Sequence, residues 1–537
     1  MQVYSACRYR LLYDAFGAAY RSGSVPREGP SVQRGTDNTR CSSGVALESP
    51  AGALSASRGS ARGRGFCWGV CFSTVTLLMG VAAAEIDAAA PAAGIRATPI
   101  TARLAAQSSP HSAVSKEVLI YEFPDVPDGA EPNGPVVADA DGDLYGSTLF
   151  GGSTSCNFDC GLIFKLVKGP AGYIEDVLHS FTGNPDGSAP IGNLILDRSG
   201  ALYGVTGGGG NREPGFAGAG TVYKLTPSTS GYGETILYTF TAGADGAGPV
   251  GGLVADSRGA LFGTTLYGGD TLCQNGCGTV FQLIPHGSTY RERVIHRFTY
   301  NGIDGIFPEA ALIIDNKGNL FGTTAYGGSG TRDTGGDGPQ KSCGVGCGTV
   351  FELSPTRHGY AERIIYNFQG GADGRAPLAP LVLDAQGGLY GTASSNGSDS
   401  KVCDLLCGTV FRLRPLGAQY SMTVLHQFVG GTDGNYPLAG LVMGSKGHLF
   451  GTTSRGGGGC NFGNSCGAVF ALTPSAAGYT ESILHAFRGA ADGAEPEASL
   501  IIDHGALYGT TTSGGTQCNC GAVFKILRPE GPSRAEW

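Results

Sequence analysis

The chain has 537 residues, of which 92 are Gly and only 15% are charged, with a formal net charge of −8. Such a composition excludes a helix-rich fold, and its Val, Thr, Tyr and Phe suit short strands joined by tight turns. An acidic balance with no Lys/Arg cluster argues against nucleic acid and anionic membrane as partners.

Residues 1–65 lack any hydrophobic period and read as a disordered or over-extended start. Residues 1–64 hold nine Arg against four acidic residues. Arg58, Arg62 and Arg64 precede an apolar run from Phe66 to Ala84 that ends on Ala82-Ala83-Ala84, before Glu85. Basic, apolar and small residues in that order make 66–84 the apolar region of a secretory signal peptide. The rival is an uncleaved anchor, since 19 apolar residues just span a bilayer. Cleavage would take the formal charge from −8 to −13 and leave no membrane span in the mature chain. Residues 85–115, rich in Ala, Ser and Pro, read as a linker.

Residues 116–528 carry seven copies of a Leu-aromatic-Gly triplet, at Leu144, Leu202, Leu261, Leu320, Leu389, Leu449 and Leu507, spaced 58, 59, 59, 69, 60 and 58 residues apart. A period of this size marks a propeller or a solenoid. In the third copy, Leu253 to Asp256, Leu261 to Thr265, Gly278 to Leu283 and Arg293 to Phe298 are four β-rich runs separated by turn residues. They predict a four-stranded antiparallel blade with strands A to D. Strand A, the most continuously apolar, is expected innermost and strand D outermost. The array opens on a D-like strand, Val118 to Phe123, and closes on a C-like strand, Ala522 to Leu527. Pairing the two completes the last blade and removes open edges, which favours a closed seven-bladed β-propeller over an open solenoid. Residues 529–537 are a short tail.

Four of the 16 cysteines precede the repeats. The other twelve form six close pairs, each at the same place in its repeat: Cys156/Cys160, Cys273/Cys277, Cys343/Cys347, Cys403/Cys407, Cys460/Cys466 and Cys518/Cys520. Two Cys per repeat, spread around a ring, do not converge on a zinc site, which needs about four ligands. Local disulfides in an oxidising compartment are expected.

The copies Phe-Thr-x-Gly-x-Asp-Gly (Phe240 to Gly246), Leu-x-x-Asp-x-x-Gly-x-Leu-(Tyr/Phe)-Gly-Thr-Thr (Leu253 to Thr265) and Gly-Thr-Val-(Phe/Tyr)-x-Leu (Gly278 to Leu283) resemble the GloVer tandem repeat of bacterial secreted and surface proteins. The resemblance spans all seven copies and implies no established activity. Members of that family often end in a sorting anchor. This chain ends at Glu536-Trp537 without an apolar tail, so free secretion is expected. A looser likeness to NHL-type and lactonase-type propellers rests on strands A and B and is an analogy of fold.

In such a blade the D-to-A and B-to-C loops share one face, where function on a rigid scaffold is usual. The longest B-to-C loop, Ala325 to Cys347, adds Arg332, Asp333, Asp337 and Lys341 as candidates to cap the opening. Asp128, Asp186, Asp245, Asp304, Asp373, Asp433 and Asp492 recur in the D-to-A loops, each before Gly and most with Pro three residues after that Gly. They form either a ring of ligand-binding carboxylates or carboxylates that bond their own turns. Asp139, Asp141 and Asp143 alternate as Ca²⁺ ligands do, in a turn that every copy has; apart from Ca²⁺, no cofactor is expected. His179, His296, His426 and His485 each precede the strand D Phe by two, where other copies have Tyr, and read as half-buried packing residues. No Ser-His-Asp set, nucleotide loop or His-Glu-x-x-His motif stands out. The expected function is a secreted, monomeric binding or structural module for an extracellular polysaccharide or an envelope protein. The alternative is a secreted carbohydrate-active or lactonase-like enzyme with a carboxylate or metal site on the loop face.

Overall fold

A computed structural model describes residues 115–527, apart from 125–127, 153–159, 211–217, 274, 330–342, 344, 396–406, 459, 461–465 and 517. The signal segment, the linker up to residue 114 and the tail lie outside the described residues. Seven four-stranded antiparallel sheets stand as the blades of a β-propeller, each ordered A-B-C-D. The outer strand of the seventh blade is Lys116–Glu122, which pairs antiparallel with Ala522–Leu527 from Lys116↔Leu527 to Glu122↔Ala522.

Each blade is built from the same local chemistry. Strand B carries the Leu-aromatic-Gly triplet, as in Leu261–Thr265, and every residue of it is buried. Its Gly lies opposite the strand C aromatic, as Gly322 does opposite Phe351. A Cβ built on Gly322 would stand 2.5 Å from Phe351 Cζ, so only hydrogen leaves room for the ring. Strand D alternates exposed and half-buried residues, as in Gly231–Thr239, and so faces solvent on one side.

Blades are joined by aromatic pairs. The Phe closing each D strand packs edge-to-face on the strand C aromatic of the next blade. Phe181 meets Tyr223 at 5.1 Å, Phe298 meets Phe351 at 5.2 Å, and Phe487 meets Phe524 at 5.0 Å. Phe123 meets Phe164 at 5.1 Å in the same way, between the seventh blade and the first. Such pairs contribute roughly 0.5–1.5 kcal/mol each beyond their buried area.

Near the axis, strand B threonines bond the start of the next blade's strand A: Thr264 Oγ1 donates to the Ala310 carbonyl (3.0 Å) and Thr510 Oγ1 to that of Gly134 (3.2 Å). The A strands meet so closely that a Cβ on Gly192 would stand 2.5 Å from the Gly252 nitrogen. Strand A is therefore shorter than its apolar run suggests, only Ile313–Ile314 in the fourth blade, because its backbone also serves neighbouring blades. The D-to-A and B-to-C loops do share one face and pair with each other, through Gly305–Ile306 with Tyr326–Gly327 and bridges such as Ala130↔Phe150 and Asn435↔Arg455.

Candidate functional site

At the perimeter, six of the seven recurring loop aspartates, from Asp186 to Asp492, bond their own turns. Asp186 accepts from Thr182 N (2.9 Å) and Thr182 Oγ1 (2.7 Å), Asp245 from Thr241 N (2.8 Å), Asp373 from Gln369 N (2.8 Å) and Asp492 from Arg488 N (2.8 Å). The same carboxylates meet the strand D residue two before the Phe: Tyr238 Oη donates to Asp245 at 3.0 Å, and His426 Nε2 lies 3.1 Å from Asp433. They stand one to a blade boundary, on the outer strands.

The histidines are half-buried, as expected from packing, but the sequence reading missed their acidic partners. Strand D of the following blade adds a glutamate: Glu175 beside Tyr121, Glu234 beside His179 and Glu362 beside His296. Burial pushes Glu175, Glu234, Glu292, Glu362 and Glu481 up to about 7. A signal existed in the recurring Tyr-x-Glu of strand D, as in Tyr232-Gly233-Glu234 and Tyr360-Ala361-Glu362; the fifth blade has Met422 there instead.

Toward the axis the copies diverge. Three residues after each loop Asp stand Glu131, Ala189, Gly248, Phe307, Ala376, Tyr436 and Glu495, all with φ between 52° and 62°. Each is followed by Pro in all seven copies, without exception. Each donates its backbone N–H to the preceding B-to-C loop; Glu131, Phe307 and Tyr436, for example, bond the carbonyls of Cys520, Cys277 and Cys407. A non-Gly residue in this region costs about 1–2 kcal/mol, and such strain collects at functional sites.

The side chains at this position and just after strand B form one polar-aromatic group. Tyr267 and Tyr326 flank Phe307 at 6.0 and 6.3 Å, Arg455 lies over Tyr436 at 5.2 Å, and Ser513 Oγ donates to Glu495 at 2.9 Å. Burial, reinforced by Glu495 and Glu131, pushes Glu497 up to about 8. Burial also pushes Tyr436 up to about 12, and its electrostatic neighbours are Arg455, Glu497, Tyr326 and Glu309. Loops of several blades thus converge on one field. The signal in the sequence was variation: this position of the Asp-Gly-x-x-Pro loop holds Glu, Ala, Gly, Phe or Tyr where its neighbours repeat.

Asp139 accepts backbone N–H bonds from Asp141 and Asp143 (both 3.0 Å) and the Tyr145 hydroxyl (2.9 Å), and Asp143 pairs with Lys165 at 2.8 Å. These three residues occupy the A-to-B turn, on the face opposite the loops. Arg332 and Asp333, with Asp337 and Lys341, lie outside the described residues. Disulfides join Cys273–Cys277, Cys343–Cys347, Cys460–Cys466 and Cys518–Cys520. Cys160 and Cys407 are also disulfide-bonded, while Cys156 and Cys403 lie outside the described residues. An open groove of about 650 Å³ runs between blades three and four on the face opposite the loops, lined by Asp256, Arg258, Arg293 and Tyr360. Asp256 there is already held by Arg258 at 3.1 Å. Among the described residues, no helix is long and apolar enough to cross a membrane.

Among solved structures, the chain is similar to a candidate 6-phosphogluconolactonase from Bacteroides uniformis, at 12% identity over 67% of this chain and 85% of that one, with a TM-score of 0.41. It is also similar to a fungal AA5-family alcohol oxidase in complex with copper, at 14% identity over 78% and 76% of the two chains, with a TM-score of 0.45. At these values neither likeness carries a functional argument. No curated protein matches the chain. Residues 110–335 and 334–524 both match the Gloeobacter/Verrucomicrobia repeat, so the seven blades are copies of that unit and the chain belongs to that repeat family.

Proposed function

We propose that this protein is a secreted propeller module that binds an extracellular polysaccharide at the axial end of its loop face. The observation that carries the reading is where the copies stop repeating. The perimeter repeats Asp, His or Tyr, and Glu from blade to blade, whereas the axial positions carry different side chains in different copies, among them Tyr267, Phe307, Tyr326, Tyr436, Arg455 and Glu497. Ligand sites combine aromatic faces with a few placed polar groups. Here ring faces would cover the C–H faces of sugars, while carboxylates and guanidinium accept from and donate to hydroxyls. Export is supported by the disulfides and by the basic, apolar and small-residue order of Arg58 to Ala84.

The test mixes the purified protein with insoluble and soluble polysaccharides and follows protein depletion and sugar release together. The expected result is depletion without release, weakened at least about tenfold (about 1.4 kcal/mol) by Tyr436→Ala and Arg455→Ala at unchanged Tm. Release of sugar would instead favour the carbohydrate-active or lactonase-like enzyme. With neither signal, an envelope protein becomes the better partner.

A further inference from the structure

Two blade boundaries differ from the rest in a way that packing does not explain. Where strand D supplies Tyr, the hydroxyl closes the boundary directly: Tyr121 donates to Glu175 at 2.7 Å, and Tyr238 and Tyr366 donate to Asp245 and Asp373 at 3.0 Å. At two of the boundaries where it supplies His, contact is looser. His296 Nε2 stands 3.6 Å from Asp304 Oδ2 and 3.5 Å from Glu362 Oε1. His179 Nε2 stands 3.5 Å from Asp186 Oδ2 and 3.6 Å from Glu234 Oε1. At the other two His boundaries the imidazole meets its loop aspartate directly, His485 Nε2 with Asp492 Oδ1 at 3.2 Å and His426 Nε2 with Asp433 Oδ1 at 3.1 Å.

An imidazolium pairing directly with a carboxylate would close to about 2.7–2.9 Å. Separations of 3.5–3.6 Å are instead those expected between ligands sharing one tetrahedral cation, because metal bonds of about 2.0–2.2 Å put neighbouring ligand atoms roughly 3.3–3.6 Å apart. An independent observation points the same way. His296 Nε2, Glu362 Oε1 and Asp304 Oδ1 are buried and make no hydrogen bond, and the Asp304 side chain is only 8% exposed. His179 Nε2 and Glu234 Oε1 are likewise buried without hydrogen bonds; an unpaired glutamate oxygen alone recurs at the Tyr boundaries, in Glu175 and Glu292, so the imidazole nitrogen is the added feature here. Two carboxylates side by side in a half-buried seam call for a dication, and an imidazole nitrogen beside them selects Zn²⁺ over the oxygen-only Ca²⁺.

We propose that His296–Asp304–Glu362 and His179–Asp186–Glu234 each bind a Zn²⁺ ion through three side chains, with water as the fourth ligand, clamping strand D of one blade to strand D of the next.

Metal content and calorimetric Zn²⁺ titration of the untagged protein, after chelator treatment and desalting, test this. About two Zn²⁺ per chain are expected, with a rise in Tm on zinc addition. Co²⁺ in their place would give the visible absorption of a tetrahedral site. His296→Tyr and Glu362→Met install residues that equivalent positions of this chain already use, so the fold has precedent for both; each should remove about one ion. The double variant His179→Tyr/His296→Tyr should retain none and lose the zinc-dependent Tm rise. Failure of the parent protein to retain zinc, or an unchanged zinc count in the double variant, overturns the proposal.

Discussion

Individual residues are decided here by how little room or water surrounds them. Glu497 shows this through its proton. Burial together with Glu495 and Glu131 lifts its carboxyl from the ordinary 4.5 to about 8, so the folded state keeps a proton that the unfolded chain releases. The sign follows from linkage: this raised carboxyl lowers stability progressively as pH climbs from about 4.5 to about 8, and the loss is complete above that. Glu497→Gln removes the effect. The Tm of the variant should therefore hold up better than that of the parent between pH 5 and 8, and parallel Tm–pH curves would refute the assignment. The strand D histidines are half-buried, as packing residues are, and Glu234 and Glu362 of the following blades reach His179 and His296.

Elements are coupled through their loops. The disulfide that closes Cys273 to Cys277 presents the Cys277 carbonyl to the N–H of Phe307, at the entrance of the next blade. Closing so short a loop restricts the unfolded chain by about 2 kcal/mol. Replacing both cysteines by Ser should lower stability by roughly that amount, and should also speed hydrogen exchange at the Phe307 amide, because its acceptor is then unbraced. Faster exchange confined to residues 273–277 would show that the brace acts only on its own loop. The second repeat lacks such a pair and uses the Ala219 carbonyl for the same bond to Gly248, where glycine relieves the positive φ of 62°.

For the whole molecule, the ring is held by a repeated set of weak contacts: one aromatic pair per boundary, threonine bonds near the axis, and strand pairing. Strand Lys116–Glu122 matters most, because it covers Ala522–Leu527 in the seventh blade. A chain starting at residue 125 would expose that strand as an open edge and lose the Phe123–Phe164 contact. Such a truncation should associate on a sizing column and unfold at lower temperature than the parent. A monomeric truncation with an unchanged Tm would show that the other boundaries suffice.

The sequence by itself determined the blade. Leu-aromatic-Gly triplets about 59 residues apart, Asp-x-x-Gly turns and Gly-Thr-Val-Phe runs are local chemistry, so each copy dictates the same four strands wherever it stands. The paired cysteines, confined to one loop per copy, were legible for the same reason. Tertiary structure decided what lies between blades. Glu362 and His296 are 66 residues apart in the chain and meet only because successive D strands lie side by side. Glu131, Tyr436 and Glu497 come from separate loops and share one field only because every D-to-A loop runs from the rim to a common axis. A period shows where the chain repeats; which side chains face one another across a ring depends on its closure and twist, which no single copy contains.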